Sequence, residues 1–89
     1  MASFHYSVID VKKGNKEEVY TLHSIVDDKR FGLLFDKEIV IRYLDGHTFI
    51  PKQGEQLKGL SPKLIPVFKA TLKTFIRENR LKILRDTLE

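Results

Sequence analysis

The clearest hydrophobic pattern in the chain lies between residues 61 and 79, SPKLIPVFKATLKTFIREN. Six apolar side chains recur at helical spacing and share one face of a helical wheel: Leu64, Ile65, Phe68, Leu72, Phe75 and Ile76. Lys and Arg side chains share a second face, each three or four residues from the next. The pattern predicts a basic amphipathic helix over residues 61–89, with one face for a sheet and another for positive charge.

Ser61 and Pro62 mark the expected start of this helix, since serine is a favoured N-cap and proline is tolerated at the first helical position. Pro66 leaves two alternatives open. It lies in the first turn, or it delays the regular helix by one turn of looser structure. The preceding residues 51–60, PKQGEQLKGL, have the composition of a surface loop.

Residues 1–50 carry strand-forming patterns. Residues 4–11 and 17–26 are rich in aromatic and β-branched types and flank a turn at residues 12–16, which predicts a β-hairpin. Residues 31–35 predict a third strand, which residues 36–38 are expected to break. Residues 39–44 and 47–50 flank Asp45-Gly46, a pair typical of type I′ hairpin turns. A helix over residues 37–44 is the rival interpretation, and three consecutive β-branched residues argue against it.

The register of the first hairpin has two solutions. A two-residue Gly14-Asn15 turn pairs Tyr6 with His23, whereas an odd loop centred on Gly14 pairs His5 with His23. We prefer the second solution because it separates apolar from polar side chains. One face then carries Tyr6, Val8, Tyr20 and Leu22, and the other carries His5, Ser7, Thr21 and His23.

These elements predict a single domain over residues 1–89 with an α+β fold. We expect an antiparallel β-meander of four to five strands, packed on one face by a long C-terminal α-helix. A chain of 89 residues is long enough for one modest core. That core is predicted to bury Phe68, Leu72 and Phe75 of the helix against Ile39, Ile41 and Tyr43 of the sheet.

The apolar stripe of the helix changes phase near Asn79. Leu81, Leu84 and Leu88 fall on roughly the opposite side of the wheel from the preceding apolar residues. Either the helix is kinked near residue 79 and its tail folds back, or it runs straight and these leucines meet a second subunit. Their i, i+3, i+7 spacing is typical of a helix–helix seam. We therefore predict a homodimer whose interface includes these three leucines.

The net charge of +4 is unevenly distributed. Residues 58–89 hold eight Lys or Arg against three Asp or Glu, whereas residues 1–57 hold eight against nine. Such asymmetry favours an acidic partner, either a nucleic acid or an acidic protein, although a solvated helix face has the same composition. The candidate nucleic-acid-binding residues are Lys63, Lys69, Lys73, Arg77 and Arg80.

Motifs for catalysis, cofactors and metals are missing from the sequence. It has no nucleophile elbow, phosphate-binding loop, dinucleotide fingerprint or cysteine, and the histidines lack the spacing of zinc ligands. We therefore predict no catalytic residues, no cofactor, no metal site and no enzymatic activity. The first ten residues do not resemble a secretory signal, and no apolar run is long enough to span a bilayer. The expected location is cytoplasmic, without a membrane partner.

The order of strands, a Lys-Gly-Leu-Ser-Pro junction at residues 58–62 and a long basic helix resembles in layout the Whirly and transcriptional-coactivator-like single-strand binders. This resemblance implies binding to nucleic acid. We predict a small non-enzymatic nucleic-acid-binding or regulatory domain that contacts phosphates through the basic helix face. The alternative is a protein–protein interaction module, an inhibitor or adaptor, that docks through its helix or a sheet edge.

Overall fold

A computed structural model describes the backbone of residues 1–88 and the side chains of residues 1–86. Four antiparallel strands form one sheet in the order β1-β2-β3-β4, followed by a short helix and a long one. The elements are β1 (Ala2–Lys13), β2 (Glu17–Asp28), β3 (Gly32–Leu44), β4 (His47–Phe49), α1 (Gln53–Gln56) and α2 (Ile65–Leu88). This architecture confirms the predicted α+β meander with a C-terminal helix.

The hairpin of β1 and β2 has a register that neither predicted solution contains. Ser7 pairs with His23, and a β-bulge at Ile9 interrupts the ladder between Val8 and Asp10. The bulge has a simple cause. Val8 and Val11 are three residues apart, so a regular strand would place them on opposite faces, and the extra residue brings both onto the core face. The predicted division of side chains between the two faces is confirmed.

Strand β3 runs unbroken through residues 36–38, so the predicted break there is wrong. Asp36 and Glu38 lie on the solvent-exposed face, where charge is compatible with an extended strand. Lys37, on the other face, donates a hydrogen bond to the Glu55 carbonyl at 3.0 Å. The type I′ turn at residues 45–46 is confirmed, since Asp45 has φ 52° and Gly46 has φ 79°.

The segment at residues 51–60 contributes to the core as well as to the surface. It contains α1, and the side chains of Leu57 and Leu60 are buried beside the sheet. Gln56 of α1 binds the outer edge of β3: its amide accepts from the Val40 N–H at 2.6 Å and donates to the Val40 carbonyl at 2.8 Å. This single side chain occupies the position where a further strand would pair.

Helix α2 begins at Ile65, after a turn in which the Leu64 N–H donates to the Ser61 carbonyl at 2.9 Å. One turn of looser structure at residues 61–64 thus precedes the regular helix, as in the second alternative for Pro66. The predicted start at residue 61 is wrong, and Ser61 is not the N-cap. The helix continues through Asn79, whose side chain donates to the Phe75 carbonyl at 2.8 Å.

No helix in the described residues is long and apolar enough to cross a membrane.

Phe68 is the centre of the helix–sheet contact. Its ring is fully buried and lies 5.5–6.2 Å from the rings of Phe4, Tyr6 and Phe35. Leu72 and Ile76 are buried on the same side of the helix, whereas Phe75 is half-buried beside Tyr6. Among the strands, the helix lies closest to β1. On its other side, Lys73 and Arg77 line a cavity together with residues of the β3–β4 hairpin.

Candidate anion-binding groove

A groove separates α2 from the β3–β4 hairpin. Its wider part is an open cavity of about 210 Å³, and a narrower apolar part continues along the helix. Thr48 and Lys73 line both parts, which makes them one continuous feature. We call it the basic groove. Its helix side carries Lys69, Lys73 and Arg77, and its hairpin side carries Tyr43, Gly46, His47, Thr48, Phe49 and Ile50.

Helical geometry explains why the three basic side chains form a row. They are four residues apart, so each step advances about 6 Å along the axis with little rotation around it. Each also follows directly after a residue that is buried against the sheet: Phe68, Leu72 and Ile76. Anchoring of those apolar residues therefore orients the basic row toward the hairpin.

The cations of the groove have no carboxylate partner in the described part of the chain. The ion pairs found among residues 1–86 do not include Lys69, Lys73 or Arg77. Asp45 belongs to the adjacent hairpin turn but does not line either part of the groove. The positive potential here is therefore not neutralised by a close internal pair, which is a suitable arrangement for an anion.

Arg80, the fourth member of the predicted basic stripe, lies in a different environment. Its guanidinium donates to Glu18 through Nε at 2.7 Å and through a terminal nitrogen at 2.5 Å. Tyr20 donates its hydroxyl to the same carboxylate at 2.7 Å, and the guanidinium stacks 4.5 Å from the centre of the Tyr43 ring. We call these four residues the Glu18–Arg80 clamp. Arg80 is thus committed to an internal contact that the sequence did not predict.

The clamp changes the acidity of its members. Burial alone would raise the pKa of Glu18, whose side chain is nearly inaccessible, but hydrogen bonds from Arg80 and Tyr20 outweigh it and hold that pKa below its usual value. The hydrogen bonds to Glu18 likewise raise the pKa of Arg80 above its usual value. Burial, followed by the neighbouring Glu18 carboxylate, raises the pKa of the Tyr20 hydroxyl. The pair is therefore ionised at neutral pH.

The remaining candidate residues lie outside the groove. Lys63 is exposed in the turn before α2 and does not line either cavity. Leu81 is 75% exposed, whereas Leu84 is half-buried and packs against the core of its own chain. The side chain of Leu88 lies outside the described residues. Leu81 and Leu84 therefore differ in environment: Leu81 faces solvent, whereas Leu84 contacts the core.

The histidines are dispersed. His5 and His23 lie on the open face of the sheet, where His5 approaches Asp27 at 3.5 Å and His23 pairs with Asp36. His47 instead lines the groove. Within the described residues, no three His, Asp or Glu side chains converge as metal ligands would.

Sequence reasoning identified the helix side of the groove but not its hairpin side. Tyr43, His47 and Thr48 surround the Asp45-Gly46 turn, so the turn prediction was the available signal. No comparable signal pointed to Glu18, which is 62 residues away from Arg80 along the chain. Comparison with protein-family models, curated proteins and solved structures finds no match.

Proposed function

We propose that this protein is a small non-enzymatic nucleic-acid-binding or regulatory domain that holds phosphate groups in the basic groove. The observation that carries the proposal is the row of Lys69, Lys73 and Arg77 along the two adjoining parts of the basic groove, without a carboxylate partner among the described residues. Opposite them lie His47 and Thr48, which supply further hydrogen-bonding groups.

The chemistry of the row suits a chain of phosphates better than a single carboxylate. Lys69 and Lys73 act as flexible point charges, and Arg77 is able to contact two oxygens of one phosphate. Contacts of this kind position the nucleic acid without reading its sequence. Three such contacts to a single strand correspond to a slope of about −2 in log affinity against log salt concentration.

Phe49 lines the narrow end of the groove, but its ring lies on the other face of the sheet, because Phe49 pairs with Arg42 whereas its neighbour Thr48 pairs with Tyr43 on the α2 side. Its side chain is 41% exposed, and the Arg42 guanidinium lies 5.8 Å from the ring centre. The ring is therefore not part of the phosphate-binding surface that we propose.

Charge reversal in the groove tests this proposal. The variant Lys73→Glu with Arg77→Glu is compared with Lys82→Glu with Arg85→Glu, which changes the same residue types on the same helix outside the groove. We expect the groove variant to stay folded and to lose binding to fluorescent oligonucleotides, because surface substitutions usually change stability by no more than about 0.5 kcal/mol. Fluorescence anisotropy with single-stranded and duplex probes at two salt concentrations measures the effect.

The control variant decides how the result is interpreted. It should keep most of the affinity, since both variants change the net charge by the same amount. Equal loss in both variants would mean that binding depends on net charge alone and would reject the groove. A parent protein that binds neither probe at low salt would reject the nucleic-acid function and favour the interaction module.

A second candidate function, a protein–protein interaction module, is favoured by the unpaired outer edge of β1. The homodimer through Leu81, Leu84 and Leu88 also remains a proposal. Of the two leucines whose side chains are described, Leu81 is the exposed one. Among the described side chains, a dimer interface at the end of α2 would therefore depend mainly on Leu81.

A further inference from the structure

The two edges of the sheet are protected to different degrees. On the β4 side, β4 pairs with residues 42–44 of β3, and Gln56 occupies both backbone groups of Val40. Lys37 is tied to the same segment through the Glu55 carbonyl. Addition of another strand along β3 at Val40 would therefore have to displace α1, and β4 itself offers an edge of only three residues.

The β1 side has no such cover. β1 is 12 residues long and pairs only with β2, so its outer row of N–H and carbonyl groups has no backbone partner in the described chain. Unpaired rows of this kind act as templates for another strand, and proteins normally protect them with charge, proline or bulges. Residues 2–9, ASFHYSVI, contain none of Lys, Arg, Asp, Glu or Pro. The bulge and the charged residues begin only at the end of this segment.

On the core face, the edge strand carries apolar and aromatic side chains that are held in place. Phe4, Tyr6 and Val8 pack against the core but stay only half-buried, because no strand of the described residues pairs beyond β1. The Tyr6 hydroxyl is fixed by the Phe68 carbonyl at 3.1 Å and the Thr71 hydroxyl at 2.6 Å. An ordered edge loses less conformational entropy when a partner strand is added.

We infer that this edge binds β1 of a second copy of the chain, in an antiparallel ladder that joins the two sheets. With the two-fold axis at Tyr6, Phe4 faces Val8 and His5 faces Ser7 of the other copy. Core-face residues then oppose core-face residues, and no charged residue opposes a like charge between residues 4 and 8. The uncharged segment complements itself, whereas a charged peptide would find no opposite charge there.

The number of open edges also favours a closed dimer. In the described residues each chain offers one long unprotected edge, and pairing two such edges by a two-fold axis leaves no long edge for a third copy. The basic groove lies on the β4 side of α2, away from the seam, so both copies keep it accessible. The inference therefore does not depend on the proposed function, and its test is separate.

Lysine substitution at the edge tests the inference. The variant His5→Lys with Ser7→Lys changes two exposed residues and places like charges across the proposed seam. Its control is His23→Lys with Thr21→Lys, which adds the same charge to the same face of the central strand β2. Sedimentation velocity gives the mass, and circular dichroism confirms that each variant is folded.

We expect the parent and the control to sediment with twice the mass of the 10.4 kDa chain, and the edge variant with the mass of a single chain. Hydrogen exchange should show protection of β1 amides that increases with protein concentration in the parent and not in the edge variant. A parent that is monomeric at high micromolar concentration overturns the inference. A dimer that survives in the edge variant but dissociates in Leu81→Glu also overturns it and assigns the interface to the leucine seam.

Discussion

Arg77 and Arg80 lie one turn apart on α2 and have different environments. The Arg80 guanidinium is held by Glu18, which is 5% exposed, and stacks on Tyr43. Arg77 is exposed and lines the groove, as Tyr43 also does. It has no carboxylate partner among residues 1–86. The difference comes from what the sheet places opposite each position and not from the helix itself.

The comparison separates two uses of positive charge. In the Glu18–Arg80 clamp, the positive charge of Arg80 is neutralised by an internal ion pair. The guanidinium links the second half of α2 to Glu18 of β2 and to Tyr43 of β3. In the basic groove, charge is left available for an external anion. A count of basic residues along a helix face does not distinguish these uses, because the distinction depends on the partner.

Phe68 anchors the helix that carries both Arg77 and Arg80, so its removal is expected to destabilise the clamp and the groove together. Phe68→Ala leaves a cavity beneath three aromatic rings and should lower the free energy of unfolding by about 3–5 kcal/mol. Denaturant unfolding measures the change, with the exposed neighbour Val67→Ala as control. A midpoint equal to that of the control would show that the helix does not cap the sheet.

Paired substitutions of the two arginines sharpen the comparison. Arg80→Met leaves the Glu18 carboxylate buried without its cation and should lower the free energy of unfolding by about 3 kcal/mol. Arg77→Met breaks no internal pair and should change it by no more than about 0.5 kcal/mol. Oligonucleotide affinity should show the opposite order, with the larger loss in Arg77→Met. Equal stability losses in the two variants would contradict the assignment of Arg80 to the clamp.

The pH dependence of the clamp is the smallest expected effect. Because the pKa of Glu18 is held below its usual value, the clamp stabilises the fold fully above the unfolded-state pKa of about 4.3 and loses that contribution as pH falls through the folded pKa. The stability difference between the parent and Glu18→Gln should therefore be largest at neutral pH and shrink below pH 4. Thermal melts across this range measure it. A difference that stays constant down to pH 2 would disprove the ionised clamp.

Local patterns were sufficient to predict most of the element types, but they predicted neither the unbroken β3 nor the short helix α1. Runs rich in aromatic and β-branched residues predicted strands, the helical spacing of Phe68 and Leu72 predicted the buried side of α2, and Asp45-Gly46 predicted a type I′ turn. Each signal depends only on residues close in sequence, because dihedral preferences and side-chain periodicity are local properties. The basic row of the groove was predictable for the same reason, because Lys69, Lys73 and Arg77 recur at helical spacing.

The tertiary structure decided which of those residues meet. The bulge at Ile9 sets the register of the first hairpin, and Gln56 closes one sheet edge while the other stays open. Arg80 forms an internal ion pair because Glu18, distant in sequence, lies against it in the fold. Such pairings depend on how whole elements pack. A polar or charged group is buried at low cost in free energy only when its partner satisfies its hydrogen bonds and charge. Sequence spacing therefore determined where the charges lie along α2, and packing alone determined which of them remain available.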